Sequence, residues 1–324
     1  MIPRPVLAAW RKTVPWREDR QVEQDLLLSI LALAVAQHPD TAEHLVWRGG
    51  TCLHKLHLDR PRRYSEDLDY VLVGGVAHGT IASALREITT DLGLSDDRCD
   101  VTATRINLWV SAPTETGPPI TIKFEVNCAD ADPVLDLVCL DHVVDTRWWA
   151  GKAGILTFQP AELVGTKFRA LAQRRKGRDL SDIWLARREL PIADTELAQA
   201  ADHYLDHEGI SPAELRARIA AHIRDPEFCH DLNVLAASSY EGFNPVDAGR
   251  DLIRWSDCHL DPLHDARRNP NAVRREQQRW EKEGGWAAGK VRCVQYEVRD
   301  GNLSRCGQWL GQDEECAGHP PERL

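Results

Sequence analysis

The hydrophobic pattern of this 324-residue chain changes its period at Pro160, and this change limits the possible folds more than any other feature. Before Pro160, apolar and polar residues alternate along several short runs, as they do in β-strands. After Pro160, apolar residues recur at helical spacing to about residue 260. The sequence therefore predicts a bilobed α/β protein, with a mixed-sheet domain over residues 1–160, a helical domain over 161–262 and a tail over 263–324.

The first long helical pattern covers residues 18–47 and ends where Gly49 and Gly50 interrupt it, which predicts a loop or turn there. Its most apolar part, Leu26–Ala36, is 11 residues long, well under the roughly 20 that a membrane crossing needs. We interpret this part as a buried helix and expect no contact with a membrane. The chain begins without an apolar core of signal-peptide length, and its 9 cysteines are scattered as reduced thiols usually are, so we expect a cytoplasmic protein.

Several shorter runs in the first half of the chain predict strands and a helix. A strand is predicted after Tyr64, with acidic residues near its start, and residues 80–93 are predicted to be helical. Residues 101–111 and 118–128 are both rich in β-forming residues and are separated by a turn-forming stretch. These two runs could pair as a hairpin.

The charge of the chain excludes one mode of nucleic-acid binding. A net charge of -10 and a pI of about 5.7 do not allow a uniformly cationic surface, so any contact with nucleic acid must come from local patches. One such patch is predicted within residues 169–178, and 6 basic residues lie between Arg267 and Lys282 in the tail. The tail is predicted to be either an RNA-binding arm or an unrelated appendage.

Asp67 and Asp69 lie two residues apart on the strand predicted after Tyr64, so their carboxylates share one face while Leu68 points to the other. Hard divalent cations prefer oxygen ligands, and a pair of such ions can activate an attacking hydroxyl and neutralise a leaving phosphate. The spacing therefore suits a magnesium site, although two acids at this spacing are often only solvated or turn residues.

Gly49, Gly50 and Thr51 precede these acids in the chain. Glycines allow backbone N–H groups to approach a triphosphate closely, and a hydroxyl supplies one more donor. The same triplet also occurs in plain turns, so both interpretations stay open on this pattern alone. His54 follows the triplet and could face a nucleotide, but we interpret it as a structural residue.

Taken together, the glycines, the acids and the residues between them resemble the AbiEii family of nucleotidyltransferase toxins, which includes the mycobacterial MenT proteins. The family pattern is a Gly-Gly-Thr, a leucine two positions on, a basic residue and then Ser-Glu-Asp-hydrophobic-Asp. The matching residues here are Gly49, Gly50, Thr51, Leu53, Arg63, Ser65, Glu66, Asp67, Leu68 and Asp69. A downstream block also resembles the family, with a lysine in a Thr-Lys pair, a basic cluster and Arg-Asp-x-x-Asp. Its matching residues are Lys167, Arg178, Asp179 and Asp182.

This resemblance implies a polymerase-β-like nucleotidyltransferase fold for the mixed sheet. It implies a metal-dependent enzyme that uses Mg²⁺ to transfer a nucleoside monophosphate from a nucleoside triphosphate (NTP), with release of pyrophosphate. It also implies a toxin with a cognate antitoxin as partner and with RNA, particularly the 3′ end of tRNA, as acceptor. Two alternatives stay open: a small molecule or a protein hydroxyl as acceptor, and a binding-only protein that holds RNA or a partner.

The resemblance further implies roles for single residues. The catalytic residues would be Asp67, Asp69, Lys167 and Asp182. The nucleotide-binding residues would be Gly49, Gly50, Thr51, Ser65 and Lys167, and the metal ligands Asp67, Asp69 and Glu125. The local pattern supports Glu125 only in part, because it shares with Lys123 a strand face that could be either the cleft or plain solvent. Lys167 could instead lie on a solvated face, and Asp179 could cap a helix after Gly177.

Overall fold

The computed structural model describes residues 2–268, except 115–116, 130–132, 234 and 238–241, together with four short strands between residues 291 and 310. The helices are α1 (Arg4–Trp10), α2 (Asp19–Gln37), α3 (Gly49–Cys52), α4 (His78–Asp91), α5 (Pro160–Gln173), α6 (Gly177–Glu189), α7 (Asp194–His207), α8 (Pro212–His222), α9 (Pro226–His230) and α10 (Pro245–Arg268). A π-helical turn, Leu53–His57, continues α3. The strands are β1 (Leu45–Arg48), β2 (Asp67–Leu72), β3 (Ser95–Val101), β4 (Arg105–Ala112), β5 (Ile120–Asn127), β6 (Val138–Asp145), β7 (Ala150–Thr157), β8 (Val291–Arg292), β9 (Tyr296–Arg299), β10 (Asn302–Arg305) and β11 (Trp309–Leu310).

Strands β1 to β7 form one mixed sheet in the order β3-β4-β5-β2-β1-β7-β6. At its centre, β2 lies between β5, which runs parallel to it, and β1, which runs antiparallel. β7 pairs in parallel with β1 through Trp47 and Thr157, and β4 and β5 form the predicted hairpin. The two strands that carry the predicted metal-binding acids, β2 and β5, are therefore neighbours.

Helix α2 is buried almost all round, which confirms the interpretation of its apolar run. Leu26, Leu28, Leu31 and Leu33 have no exposed surface. The helix packs against β5 and β7 of the sheet and against α1 and α4. Each fully buried leucine contributes about 1.5–3 kcal/mol relative to an exposed one, so α2 is a main anchor for the sheet.

The polar start of α2 is buried around one carboxylate. Asp25 accepts hydrogen bonds from the indole N–H groups of Trp10 and Trp16, both at 2.9 Å, and forms an ion pair with Lys55 at 2.9 Å. Lys55 belongs to the π-helical turn, and its Nζ also donates to Ser29 Oγ at 2.8 Å. Burial of this charge is tolerated because the carboxylate is paired and hydrogen-bonded, and the pairing holds the π-helical turn against α2.

The helices from α5 onward share a core with the sheet. α5 packs against α6 and α7, and α10 packs against α6, α7 and α8. One continuous set of buried apolar residues extends from the sheet into these helices and includes Phe168 and Trp255, whose ring centroids are 5.2 Å apart. α10 continues to Arg268, past residue 262, where the helical domain was predicted to end.

The end of the first helical pattern was predicted wrongly. α2 stops at Gln37, because His38 precedes a proline and adopts an extended conformation with φ -80° and ψ 131°. Leu45–Arg48 then forms β1, whose pairing with β2 overrides the helical spacing of its residues. The predicted loop at the two glycines is also wrong, since α3 begins there, and β3 was not predicted.

The other local predictions are confirmed where the structure describes them. The strand with acids at its start is β2, the helix of residues 80–93 is α4, and helices follow from Pro160 onward. In the part of the chain that the structure describes, no helix is both long and apolar enough to cross a membrane. Most of the tail over residues 263–324, predicted to be either an RNA-binding arm or an unrelated appendage, lies outside the described residues.

Candidate active site

A cleft of about 480 Å³ opens where the centre of the sheet meets α5. Residues of β1, β2, β4 and β5 line it on the sheet side. Thr166, Lys167, Ala170 and Gln173 line it on the helix side, and their spacings of three and four place them on one side of α5. The cleft therefore brings the sheet and the first helix after it to one place.

Asp69 lies at the centre of a row of charged side chains that crosses three strands. In the strand register it is opposite Arg48 on β1 and opposite Glu125 on β5, and all three residues line the cleft. Residues in register on neighbouring strands have side chains on the same face. Asp67 shares this face at two residues' distance, and Leu68 is fully buried on the other, as the spacing predicted.

Burial has the largest effect on the pKa of both aspartates. Removal from water, followed by repulsion from Asp69, raises the pKa of Asp67 to about 6. Burial also raises the pKa of Asp69, although Arg48 and Lys167 act against it. A bound divalent cation would stabilise the charged form of both carboxylates.

Glu125, in contrast, has positive partners of its own. Its carboxylate makes a short ion pair with Lys123 and a second ion pair with Arg105 at 3.3 Å. Partial burial acts to raise the pKa of Glu125, but the hydrogen bond and charge of Lys123 lower it overall. Among the described residues, no three His, Cys, Asp or Glu side chains converge closely enough to hold a metal ion. Glu125 would therefore have to exchange Lys123 before it could join Asp67 and Asp69 as the predicted third ligand.

Gly49 and Gly50 each pack so closely against a charged side chain that no larger residue fits unless that side chain moves. The φ of Gly49 is +84°, in the left-handed region, and a Cβ there would lie 2.2 Å from Asp69 Oδ2. A Cβ on Gly50 would lie 2.2 Å from Arg63 Nη2. Of the two glycines, only Gly49 lines the cleft, and Gly50 packs against the buried guanidinium.

Thr51 and Ser65, both predicted to bind the nucleotide, contact each other at the start of β2. Thr51 is buried, and its Oγ1 donates a hydrogen bond to the carbonyl oxygen of Asp67 at 2.6 Å and lies 2.8 Å from Ser65 Oγ. Neither residue lines the cleft. In this structure their bonds tie α3 to the first residue of β2 and so hold Asp67 in place.

Lys167 connects the cleft with a buried cluster of charges. Only 6% of it is exposed, so the alternative of a solvated face is wrong. Its Nζ lies 2.9 Å from Asp182 Oδ2 and 3.6 Å from Asp179 Oδ1. Asp182 is 0% exposed and accepts two hydrogen bonds from Arg63, both at 2.7 Å. Asp182, predicted to be catalytic, thus contacts Lys167 but does not line the cleft.

His54 also contacts Asp182, with its Nε2 3.3 Å from Asp182 Oδ1. Its Nδ1 accepts a hydrogen bond from the backbone N–H of Arg62 at 3.2 Å, and burial lowers the pKa of the ring. A neutral ring that accepts at Nδ1 carries its proton on Nε2, so His54 donates to Asp182. Burial acts to raise the pKa of Asp182, but Arg63 and Lys167 hold it well below its usual value. These contacts support the structural interpretation of His54.

Asp179 does not cap α6, and its carboxylate instead accepts two hydrogen bonds from Arg174, at 2.8 and 3.0 Å. The next two cations also have acidic partners. These ion pairs are Arg175 with Asp225 at 2.6 Å and Lys176 with Asp231 at 3.8 Å. The positive patch predicted within residues 169–178 is therefore partly neutralised, because carboxylates from distant parts of the sequence fold against it.

No role was predicted from the sequence for Arg48 or Arg63, although both lie within or next to the family motif. Arg48 directly precedes the two glycines, and Arg63 is the basic residue of the motif. Arg48 obtains its place in the site from its register with Asp69. Arg63 obtains its place from a contact with Asp182, which is 119 residues away. Neither contact can be derived from local sequence.

Comparisons with known proteins bear on the family and the fold of the chain. A family model described as the nucleotidyl transferase AbiEii toxin of type IV toxin–antitoxin systems matches residues 31–283. Among solved structures, MenT4, a nucleotidyltransferase toxin from Mycobacterium tuberculosis, aligns with a TM-score of 0.57 and 18% identity over 79% of this chain and 90% of that chain. An antigenic nucleotidyltransferase-like protein from Paracoccidioides brasiliensis aligns at 19% identity over 60% of this chain and 93% of that chain, with a TM-score of 0.35. No curated protein matches the chain in sequence.

The likeness to MenT4 supports the α/β fold with its mixed sheet, since at low identity a shared fold does not by itself transfer an activity. The family match is more specific, because it covers well over half of the chain. Both motif blocks, with the glycines, the acids and Lys167, lie within the matched residues. The chain therefore belongs to the AbiEii family, the nucleotidyltransferase toxins of type IV toxin–antitoxin systems.

Proposed function

We propose that the cleft transfers a nucleoside monophosphate from an NTP to an acceptor hydroxyl. The hydroxyl oxygen bonds to the α-phosphorus, the bond from that phosphorus to the bridging oxygen breaks, and pyrophosphate leaves as the hydroxyl proton is released. The observation that carries this proposal is the row of Arg48, Asp69 and Glu125, which shares one cleft with Lys167. The cleft thus contains carboxylates that could bind a metal ion and basic side chains that could bind phosphates.

Asp67 and Asp69 are proposed to hold Mg²⁺, with Glu125 as a third ligand after it exchanges Lys123. The donor set fits, because Mg²⁺ prefers carboxylate oxygens and two carboxylates that share one strand face can both turn oxygens towards it. When bound, the ion would activate the attacking hydroxyl and neutralise charge on the transferred phosphoryl group.

Lys167 and Arg48 are proposed to bind the triphosphate, from the helix and from the sheet respectively. An ammonium group acts on phosphate oxygens as a point charge, whereas a guanidinium can donate two parallel hydrogen bonds to them. Arg174 lines the same cleft and adds positive charge. Positioning and electrostatic stabilisation supply most of the rate in phosphoryl transfer, so none of these residues needs to form a covalent intermediate.

A Lys167→Met variant should bind NTP more weakly, by about tenfold to a hundredfold, because a hydrogen bond to a charged group contributes roughly 1.5–3 kcal/mol. Isothermal titration of the protein with a non-hydrolysable NTP measures this effect. The matched control is Lys152→Met, which removes an exposed lysine on β7 that pairs with Asp141 and lies outside the cleft. Equal affinity of the Lys167→Met variant and the wild type would remove Lys167 from the nucleotide site.

The proposed acceptor is the 3′ end of an RNA, with tRNA as the first candidate. The family resemblance supports this proposal, because it implies an RNA acceptor. Contacts with the RNA backbone would position it without reading bases, so selectivity among RNAs would depend on their shape and on the reach of the 3′ end into the cleft. We further propose that the toxin acts in the cytoplasm and that a cognate antitoxin opposes it.

The test uses purified protein, Mg²⁺, each α-labelled NTP in turn and total RNA. Label should appear in RNA, and it should be lost when the RNA is first oxidised with periodate, which destroys the vicinal hydroxyls of the terminal ribose. Label on oxidised RNA would contradict the 3′-end proposal. Label only in protein or in small molecules would favour a different acceptor, and RNA binding without any labelling would favour the binding-only alternative.

A further inference from the structure

The guanidinium of Arg63 is fixed on every side in the loop between the π-helical turn and β2. It is 4% exposed, its Nε and Nη2 donate to the two oxygens of Asp182, and its Nη1 donates to the carbonyl oxygen of Tyr64 at 3.1 Å. Its backbone forms an isolated β-bridge with Ala236. Arg63 has therefore lost most of the freedom of an arginine side chain, and its position is determined by the fold.

This guanidinium packs against Gly50 in the first turn of helix α3. A Cβ on residue 50 would lie 2.2 Å from Arg63 Nη2 and 3.1 Å from Arg63 Cζ, so only glycine fits beside the guanidinium in its present position. Gly49, the neighbour of Gly50, is in turn placed against Asp69. A displacement of Arg63 would thus move the turn that packs on the central acid of the site.

The same guanidinium also orients Lys167 through a shared carboxylate. Asp182 Oδ2 accepts both Arg63 Nη2 at 2.7 Å and Lys167 Nζ at 2.9 Å. The second contact of Arg63, from Nε to Asp182 Oδ1, prevents the carboxylate from rotating. Lys167 is therefore held at a defined point of the cleft wall.

Arg63 also determines the net charge of the buried ion-pair cluster around Asp182. The buried or half-buried cations are Arg63, Lys167 and Arg174, and the buried carboxylates are Asp179 and Asp182. Three positive charges against two negative ones leave a net charge of +1, and two of the three cations line the cleft. Without Arg63 the cluster would be neutral, and Asp182 would cancel the charge of Lys167.

We propose that Arg63 is a positioning residue for nucleotidyl transfer, which positions the start of α3 through its contact with Gly50 and positions Lys167 through Asp182. The inference rests on the proposed function and adds to it a residue that never touches the substrate. Its two contributions are separable. The two parallel hydrogen bonds to Asp182 require the planar guanidinium of arginine. The net charge of the cluster requires only a cation at residue 63.

The experiment compares Arg63→Lys with Arg63→Met, and measures the melting temperature, the NTP dissociation constant without acceptor, and kcat. Arg63→Lys keeps the charge and loses the paired geometry, so NTP affinity should stay within about threefold of wild type while kcat falls at least tenfold. Arg63→Met should lose both affinity and kcat. The matched control is Arg62→Lys, since Arg62 is the adjacent residue and pairs with partly exposed Glu189 at 2.9 Å. It should behave like wild type.

A wild-type kcat for Arg63→Lys would overturn the inference, because the two-pronged geometry would then be dispensable. A purely structural role would lower the melting temperature and the active fraction, without a fall in kcat per folded molecule. If Arg63→Met does not fold, Arg63→Lys and Asp182→Asn still decide the matter, and Asp182→Asn should also lower kcat. Absence of NTP binding and transfer in the wild type would refute the proposed function itself, which is a different outcome from equal activity of the wild type and the lysine variant.

Discussion

An Asp69→Asn variant should lose nucleotidyl transfer by at least about a hundredfold, because it removes a proposed ligand of Mg²⁺, and a bound metal ion can stabilise such a transition state by several kcal/mol. Asparagine keeps the size of the side chain, so the close contact with Gly49 is unchanged. The initial rate of label transfer from NTP measures the loss. The matched control is Asp141→Asn, which removes an exposed carboxylate on β6 at the edge of the sheet.

The same variant should be as stable as the wild type or more stable. Burial raises the pKa of Asp69 in the folded chain, so at neutral pH its charge is less favourable in the folded than in the unfolded state. Removal of that charge should therefore leave the melting temperature unchanged or raise it. A variant that retains more than about a tenth of wild-type transfer has lost less than ~1.4 kcal/mol in barrier height, and this would exclude Asp69 as a metal ligand.

A Gly49→Ala variant should lose both stability and transfer. The positive φ costs an L-residue roughly 1–2 kcal/mol, and the new Cβ would in addition collide with Asp69. The acid has to move, so transfer should fall at least tenfold in the fraction that folds. Urea unfolding and the rate of label transfer measure the two effects.

A Gly75→Ala variant distinguishes the effect of backbone strain from the effect of a steric clash. Its φ is +67°, but a Cβ there would meet no atom within 4 Å. Gly75→Ala should therefore lose stability through backbone strain alone and keep wild-type transfer per folded molecule. If Gly49→Ala and Gly75→Ala lose stability equally and both remain active, the close approach of Gly49 to Asp69 has no functional meaning.

Local sequence was sufficient for those parts of the site that depend on side-chain alternation. The period of two on β2 places Asp67 and Asp69 on one face, and the same period on β5 places Glu125 opposite its buried neighbours. The strand that contains Leu45–Arg48 was missed because its residues also fit a helical spacing, and only its pairing with β2 decides between the two.

Ion pairing could not be predicted in the same way. Arg175 meets Asp225 across 50 residues, and Arg63 meets Asp182 across 119 residues. A basic cluster in sequence becomes a positive surface only if no carboxylate folds against it, and that depends on tertiary contacts. The burial of Asp182 against Lys167 and Arg63 likewise depends on tertiary contacts, and local sequence does not predict it.

The long separation between Arg63 and Asp182 has a consequence for the synthesis of the toxin. A ribosome that has translated the sheet has produced the acids and the two glycines of α3, but the cations of α5 and their partner on α6 are still missing. A nascent chain, or a fragment that ends before α5, therefore contains the sheet side of the site with Arg48, but lacks Lys167 and Arg174 on the other side of the cleft. More than half of the chain must therefore be made before the cleft is complete, and we expect premature termination in the first half of the reading frame to abolish nucleotidyl transfer.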